Sequence, residues 1–194
     1  MSRPDRLEEN SPSDFATHYV LLDRDGVINE NRPGSVLSTA DFRLIENVPE
    51  AILTLNGRGY RVLVISNQAC VGRGDLAIDE LHEIHKYMRD QISLKGGEID
   101  GIYVCPHTDD DDCRCRKPRT GLIDCARRDH GFVASETWMI GDDYRDVQAA
   151  TDAGCKPGIV CTGKLQLGDT PPGVADFRDL MEFAMSITSV EYSR

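Results

Sequence analysis

Five short runs of apolar, largely β-branched residues punctuate the chain: HYVLLD at 18–23, RVLVIS at 61–66, GIYVC at 101–105, TWMIG at 137–141 and GIVC at 158–161. None alternates polar with apolar positions, and unbroken runs of this length suit strands buried on both faces. The longer stretches between them are amphipathic and predict helices over residues 48–58, 78–95, 119–130, 144–153 and 176–187. Regular alternation of strand and helix predicts a parallel sheet with right-handed crossovers, the doubly wound, Rossmann-like α/β class. The chain has no internal repeat, and its one biased tract is the run Asp109 to Asp112.

In sheets of this class ligands bind beyond the carboxyl ends of the strands, so the residues that follow each strand are the first to inspect. The first strand leads into Asp23, Arg24, Asp25 and Gly26, and the second into Ser66, Asn67 and Gln68. The third ends at Cys105 and the fourth delivers Gly141, Asp142 and Asp143. Polar and acidic groups therefore gather at one edge.

Composition narrows the class of protein. A chain of 194 residues, 40% of them hydrophobic, suits one domain, expected over residues 17–190. Residues 1–16, rich in Pro, Ser and charge, read as a disordered leader. No apolar run approaches the roughly 20 residues that span a bilayer, and no segment of secretory type stands at the N-terminus. The expectation is a cytoplasmic monomer with no membrane partner. The net charge of −11 repels phosphodiester polymers and argues against nucleic acid, while a local cationic pocket can still receive a small phosphorylated metabolite.

Asp23 and Asp25 stand two residues apart, just before a glycine that allows a sharp turn. Two carboxylates so close repel one another unless a cation sits between them, and a hard, oxygen-seeking ion such as Mg²⁺ is the natural occupant, with Asp142 able to complete the set. A lone Asp-Gly pair is often only a surface turn; here two strands bring acids to the same edge. With the ion present, Asp23 can attack phosphorus while Asp25 protonates the leaving oxygen and then activates water. Ser66, with the backbone amides after it, and Lys117 can hold the phosphoryl oxygens and offset their charge.

The stretch CPHTDDDDCRCRKP offers Cys105, His107, Cys113 and Cys115 within eleven residues, the ligand types of a closed tetrahedral Zn²⁺ site. Such a site would fix an otherwise mobile polar loop and with it Arg116 and Lys117. Without metal, the same thiols would be redox-active or merely exposed. Asp109 to Asp112 read as solvated acids at the loop tip. The remaining cysteines, 70, 125, 155 and 161, read as small buried residues. His82 and His85 read as surface or packing residues.

DRDGV, SNQ, RKP and GDDYRD, in that order, resemble the four signatures of the haloacid dehalogenase superfamily of phosphatases. With ISNQACVGRG, IYVCPH, CRCRKP and TGK, residues 18–165 resemble its heptose 1,7-bisphosphate and histidinol-phosphate phosphatase branches. The resemblance implies a core with a minimal cap, catalytic Mg²⁺ and a zinc-binding loop. It implies that Asp23 is nucleophile and Mg²⁺ ligand and that Asp25 is the general acid/base, binding the ion through its carbonyl. It further implies Ser66 and Asn67 as phosphate-binding residues, Lys117 as phosphoryl stabiliser and Asp142 as the remaining Mg²⁺ ligand. Asp143 and Asp146 are expected either to support these groups or to be solvated acids at a helix start. Arg73 and Arg116 are expected to meet a second phosphate or sugar hydroxyls, since a guanidinium forks well onto an anion. The expected reaction removes the C7 phosphate of a heptose bisphosphate through an aspartyl phosphate. The alternative is histidinol phosphate or another small phosphomonoester.

Overall fold

A computed structural model describes residues 18–190; the expected leader lies outside the described residues. In chain order the elements are β1 (His18–Leu22), α1 (Val48–Gly57), β2 (Tyr60–Asn67), α2 (Ala69–Gly72), α3 (Ile78–Ser93), β3 (Gly101–Cys105), α4 (Gly121–His130), β4 (Trp138–Gly141), α5 (Tyr144–Asp152), β5 (Lys156–Val160), β6 (Ala175–Phe177) and α6 (Leu180–Ser186). All six strands are parallel, in the order β3-β2-β1-β4-β5-β6.

The strands sort their side chains onto two faces. Val20 and Leu22 of β1 join α1, α3 and α6 through Ile52, Leu55, Met88 and Phe183. Tyr19 and Leu21 point the other way, against Leu122 and Ile123 of α4 and Ala149 and Ala150 of α5. Burying each such leucine contributes about 1.5–3 kcal/mol, and both faces need it, which is why the sequence runs were apolar throughout. On α3, Leu81, Ile84, His85, Met88 and Ile92 form the buried stripe at helical spacing.

Three expectations need correction. The stretch 176–187 is not one helix. The Asp179 side chain accepts a hydrogen bond from Glu182 N at 2.8 Å and caps α6 at Leu180, so Ala175–Phe177 is left extended and pairs with Gly158, Ile159 and Val160. That sixth strand covers an edge of β5 that would otherwise be bare. Secondly, β3 is an edge strand, and its first four residues are only half-buried. Thirdly, Cys70 and Cys155 are buried as expected, whereas Cys125 and Cys161 are only partly so.

From β1 the chain steps outward to β2 and β3, then crosses back to add β4 on the opposite side of β1. The crevice of a doubly wound sheet opens at that reversal, beyond the carboxyl ends of β1 and β4.

Candidate active site

A cavity of about 260 Å³ lies there, bordered by Asp23 and Asp25 after β1, Asn67 and Gln68 at and after β2, Asp142 and Asp143 after β4, and Arg116 and Lys117. Lys117 is its organising cation. Only 3% exposed, its Nζ lies 2.9 Å from Asp23 Oδ1 and 2.7 Å from Asp146 Oδ1, and donates to Ile65 O at 2.7 Å. All three ammonium protons are thus engaged. Burial works against the charge, but Asp146 and Asp23 hold the Lys117 pKa above its ordinary value. Asn67 fixes the backbone beneath: its amide donates to Lys117 O and accepts from Lys117 N, both at 3.0 Å.

Asp23 Oδ1 also accepts from Arg24 N at 2.7 Å. Burial, reinforced by Asp146 and Asp25 and opposed by Lys117, raises its pKa to about 7. Asp142 is raised to about 6 by burial and then by Asp146, against the pull of Lys164. Asp142 Oδ2 accepts from Lys164 N at 3.0 Å and Asn31 Nδ2 at 3.1 Å. Asp146 is neither solvated nor loose. At 2% exposure it bonds Lys117 through one oxygen, while the other accepts from the amides of Asp142 and Asp143 at 3.2 Å and so closes the first turn of α5.

Oxygens of Asp23, Asp142 and Asp146 lie within 4.8 Å of one another. With Asp146 occupied by Lys117 and two amides, Asp23 Oδ2 and Asp142 Oδ1 accept no hydrogen bond from the described residues, and both residues border the cavity. A partly buried Asp23 and a buried Asp142, both with pKa values raised by burial and by Asp146, offer all-oxygen donors that fit a small hard dication.

Asp25 is held differently. Arg24 Nη2 reaches both its oxygens, at 2.9 and 3.0 Å, while Asn29 Nδ2 donates at 2.9 Å and Gln68 Nε2 at 2.8 Å. Burial pushes its pKa up, but Arg24, Asn29 and Gln68 together hold it below the ordinary range. Glycines allow the loops to close. Gly26 has φ of +85°, and a Cβ there would stand 2.3 Å from Asp142 Oδ2; at Gly163 the same atom would be 2.0 Å away.

Ser66 stands apart from the expected phosphate site. Its hydroxyl is 1% exposed, accepts from Gln68 Nε2 at 2.9 Å, and is absent from the cavity wall, which Asn67 and Gln68 form instead. Arg73 and Arg116 do border the cavity. Arg73 is bonded to Asp75 at 2.8 Å and Ser35 Oγ at 3.2 Å, and Arg116 to Asp109 and to His107 O. Residue pattern alone does not single out Arg24, Asn29, Asn31 or Arg145. Arg24, Asn29 and Arg145 meet acids of their own loops, whereas Asn31 and Lys164 reach Asp142 and Asp143 from other loops, and only the position of Lys164 in TGK hinted at a place near the site.

Beside the cavity, the Sγ atoms of Cys105, Cys113 and Cys115 are 3.3–3.6 Å apart, and His107 Nδ1 is 3.6 and 3.3 Å from Cys105 and Cys115. With Zn–S near 2.3 Å and Zn–N near 2.1 Å, a tetrahedron has edges of about 3.6–3.8 Å, so the four atoms fit that ion. The neighbouring acids are exposed, as the sequence reading has them, and three of them are also paired. Asp109 pairs with Arg116, Asp111 accepts from Thr108 N and Oγ1, and Asp112 pairs with Arg119. The base of this loop is joined to α2, because Gln68 N donates to Cys105 O and Gly72 N to Pro106 O.

A family model described as HAD-hydrolase-like matches residues 114–177. The chain is 43% identical over 145 residues to the D-glycero-beta-D-manno-heptose-1,7-bisphosphate 7-phosphatase of Neisseria meningitidis serogroup A, covering 75% of this chain and 78% of that protein. Against the enzyme of the same name from Pseudomonas aeruginosa, identity is 35% over 171 residues, with 87% and 96% covered. The crystal structure of D,D-heptose 1,7-bisphosphate phosphatase from B. bronchiseptica, complexed with magnesium and phosphate, superposes with a TM-score of 0.82 at 34% identity, over 87% of this chain and 96% of that one.

Proposed function

This chain belongs to the heptose-bisphosphate phosphatase family of HAD-like hydrolases, and on that premise we propose that it removes the C7 phosphate from D-glycero-D-manno-heptose 1,7-bisphosphate. The observation that carries the reading is the buried Lys117, which joins Asp23 and Asp146 beside Asp142 at the floor of a cavity sized for a small molecule. That arrangement leaves one oxygen of the cavity residue Asp23 without a hydrogen-bond partner among the described residues.

In this reading Asp23 Oδ2 attacks phosphorus, and the bond to the sugar oxygen breaks as the Asp23–phosphorus bond forms. Lys117 offsets the negative charge of the phosphoryl oxygens crowded beside Asp23 and keeps the carboxylate from turning away. Once protonated, Asp25 gives its proton to the departing oxygen, then takes one from the water that hydrolyses the aspartyl phosphate and releases it with the product phosphate, so the carboxylate is restored each cycle. Because Arg24, Asn29 and Gln68 favour its charged form, the resting group is set for the second step. The proton for the first must arrive with the substrate's phosphate, whose second ionisation lies near 6. Asp23 and Asp142, with the Asp25 carbonyl, would hold Mg²⁺, which supplies charge neutralisation at the phosphoryl oxygens. Cys105, His107, Cys113 and Cys115 would hold a structural Zn²⁺ that keeps Arg116 and Lys117 in register. Asn67, Arg73 and Arg116 are assigned to the substrate; Ser66 acts through Gln68 in this arrangement. The acting form is read as a cytoplasmic monomer. Among the described residues no helix is long and apolar enough to cross a membrane.

Phosphate release from heptose 1,7-bisphosphate, histidinol phosphate and a panel of sugar phosphates tests the assignment. The heptose is expected to have the highest kcat/KM, and a clear preference for histidinol phosphate would replace it. Asp23→Asn is expected to lower kcat by on the order of 10³-fold or more with the fold intact.

A further inference from the structure

Arg24 lies between the two carboxylates of the DRDG turn, yet its side chain runs inward and is 0% exposed. A buried guanidinium has five N–H donors, and each one left without an acceptor costs stability. One side of the fork is taken by Asp25, through Nη2 at 2.9 and 3.0 Å and Nε at 3.3 Å. On the other side, Nη1 lies 3.2 Å from His85 Nε2. His85 is 61 residues further on, in the middle of α3, and is 6% exposed. It does not border the cavity.

Arginine can only donate, so the contact is a hydrogen bond only if Nε2 is the unprotonated nitrogen and the ring proton sits on Nδ1. A charged ring would place two cations in contact within the core, and burial together with Arg24 favours the neutral form. His85 is therefore the acceptor that stops the Arg24 fork from rotating, and the fork in turn sets the plane of the Asp25 carboxylate.

We infer that His85 is a positioning residue for the reaction: from the middle of α3 it orients Asp25 through the buried Arg24. The inference rests on the phosphatase reading for its kinetic consequence, but the contact itself does not. Nothing in a residue pattern would indicate it, since a histidine on the inner stripe of a helix ordinarily only packs. Here its distinguishing feature is that the group it meets is a fully buried charge whose other partner is a cavity carboxylate. Asn29 and Gln68 also hold Asp25, so loss of His85 should loosen its orientation without releasing it.

Two experiments test this. The first compares His85→Leu with His85→Gln, whose amide oxygen can stand near the Nε2 position, using release of inorganic phosphate from a simple aryl phosphate and thermal melting. Misplacement of a reacting group by a fraction of an ångström costs on the order of tenfold or more in rate. His85→Leu is therefore expected to lower kcat by about that factor with KM within twofold, and His85→Gln to recover most of it. Unchanged kcat in a folded His85→Leu protein, or a glutamine variant no better than the leucine one, would overturn the inference. The second needs no variant: ¹⁵N-correlated spectra of the histidine rings in the full-length wild-type protein. The expected signal is a neutral His85 protonated on Nδ1, and an Nε2-protonated or charged ring at neutral pH would overturn the contact whether or not the leucine variant folds. If wild-type protein releases no phosphate from any monoester, the phosphatase reading fails, while the spectra still decide the contact.

Discussion

Lys117 concentrates more of the site's energetics than any other single residue. Its ammonium is the shared counter-charge of Asp23 and Asp146, and removing one partner of a buried ionic group leaves the others uncompensated, at a cost of about 3–5 kcal/mol. Lys117→Met is expected to lower unfolding free energy by about that amount in denaturant titrations and to abolish turnover; an unchanged midpoint would show that the triad is neutralised some other way. His85 makes a prediction in pH. Burial first, and then Arg24, depress its pKa to about 3, against about 6.5 in an unfolded chain. The neighbouring Asp25 pulls it upward, and His82 and Arg89 push it further down. A depressed histidine must bind its proton on unfolding, so its stabilising contribution is present above about pH 6.5 and is lost as the pH falls towards 3. Melting temperature should fall more steeply over that range in wild type than in His85→Gln, and parallel curves would count against a neutral buried ring.

The elements place these residues through their ends. β1, β2 and β4 deliver Asp23, Asn67 and Asp142 to one rim because parallel strands share a direction, and α5 begins there with Asp146 closing its first turn. The loop after β5 approaches the same point: Thr162 donates to Gly26 O at 2.6 Å and Lys164 N to Asp142 Oδ2, with Gly163 against the carboxylate. Gly163→Ala is expected to raise the Mg²⁺ concentration for half-maximal activity by on the order of tenfold, since groups that orient a metal ligand carry effects of that size; an unaltered metal dependence would show that the loop yields. The cysteine loop makes a different prediction. Cys113→Ser should lower the zinc content measured by elemental analysis and the melting temperature, while the rate at saturating Mg²⁺ falls less than stability does. Element types were legible from periodicity wherever burial was two-sided or the stripe was long. β6 was not, because three residues carry too little pattern, and its strand character comes from the β5 edge and from the Asp179 cap.

At the scale of the whole molecule, a chain of net charge −11 gathers Arg73, Arg116, Arg145 and Lys164 around one cavity, and the two faces of the sheet hold the loops that carry them. Each of these cations is paired with a nearby acid, Asp75, Asp109 or Asp143. The Arg73–Asp75 pair, exposed on both sides, is worth little and can exchange a carboxylate for a phosphate at small cost. The sequence by itself determined the parallel α/β order, the rim at which polar groups gather, and the four Cys and His residues of the loop, because burial on both strand faces and ligand chemistry act through residue type and local spacing. It could not determine that Asn67, at the cavity wall, would also brace the backbone of Lys117, that Ser66 would turn to Gln68, or that His85 would reach Asp25 through Arg24. Those contacts join residues on separate elements, and which donor meets which acceptor depends on how the packed helices and loops bring them within about 3 Å, a distance that no periodicity in the chain encodes.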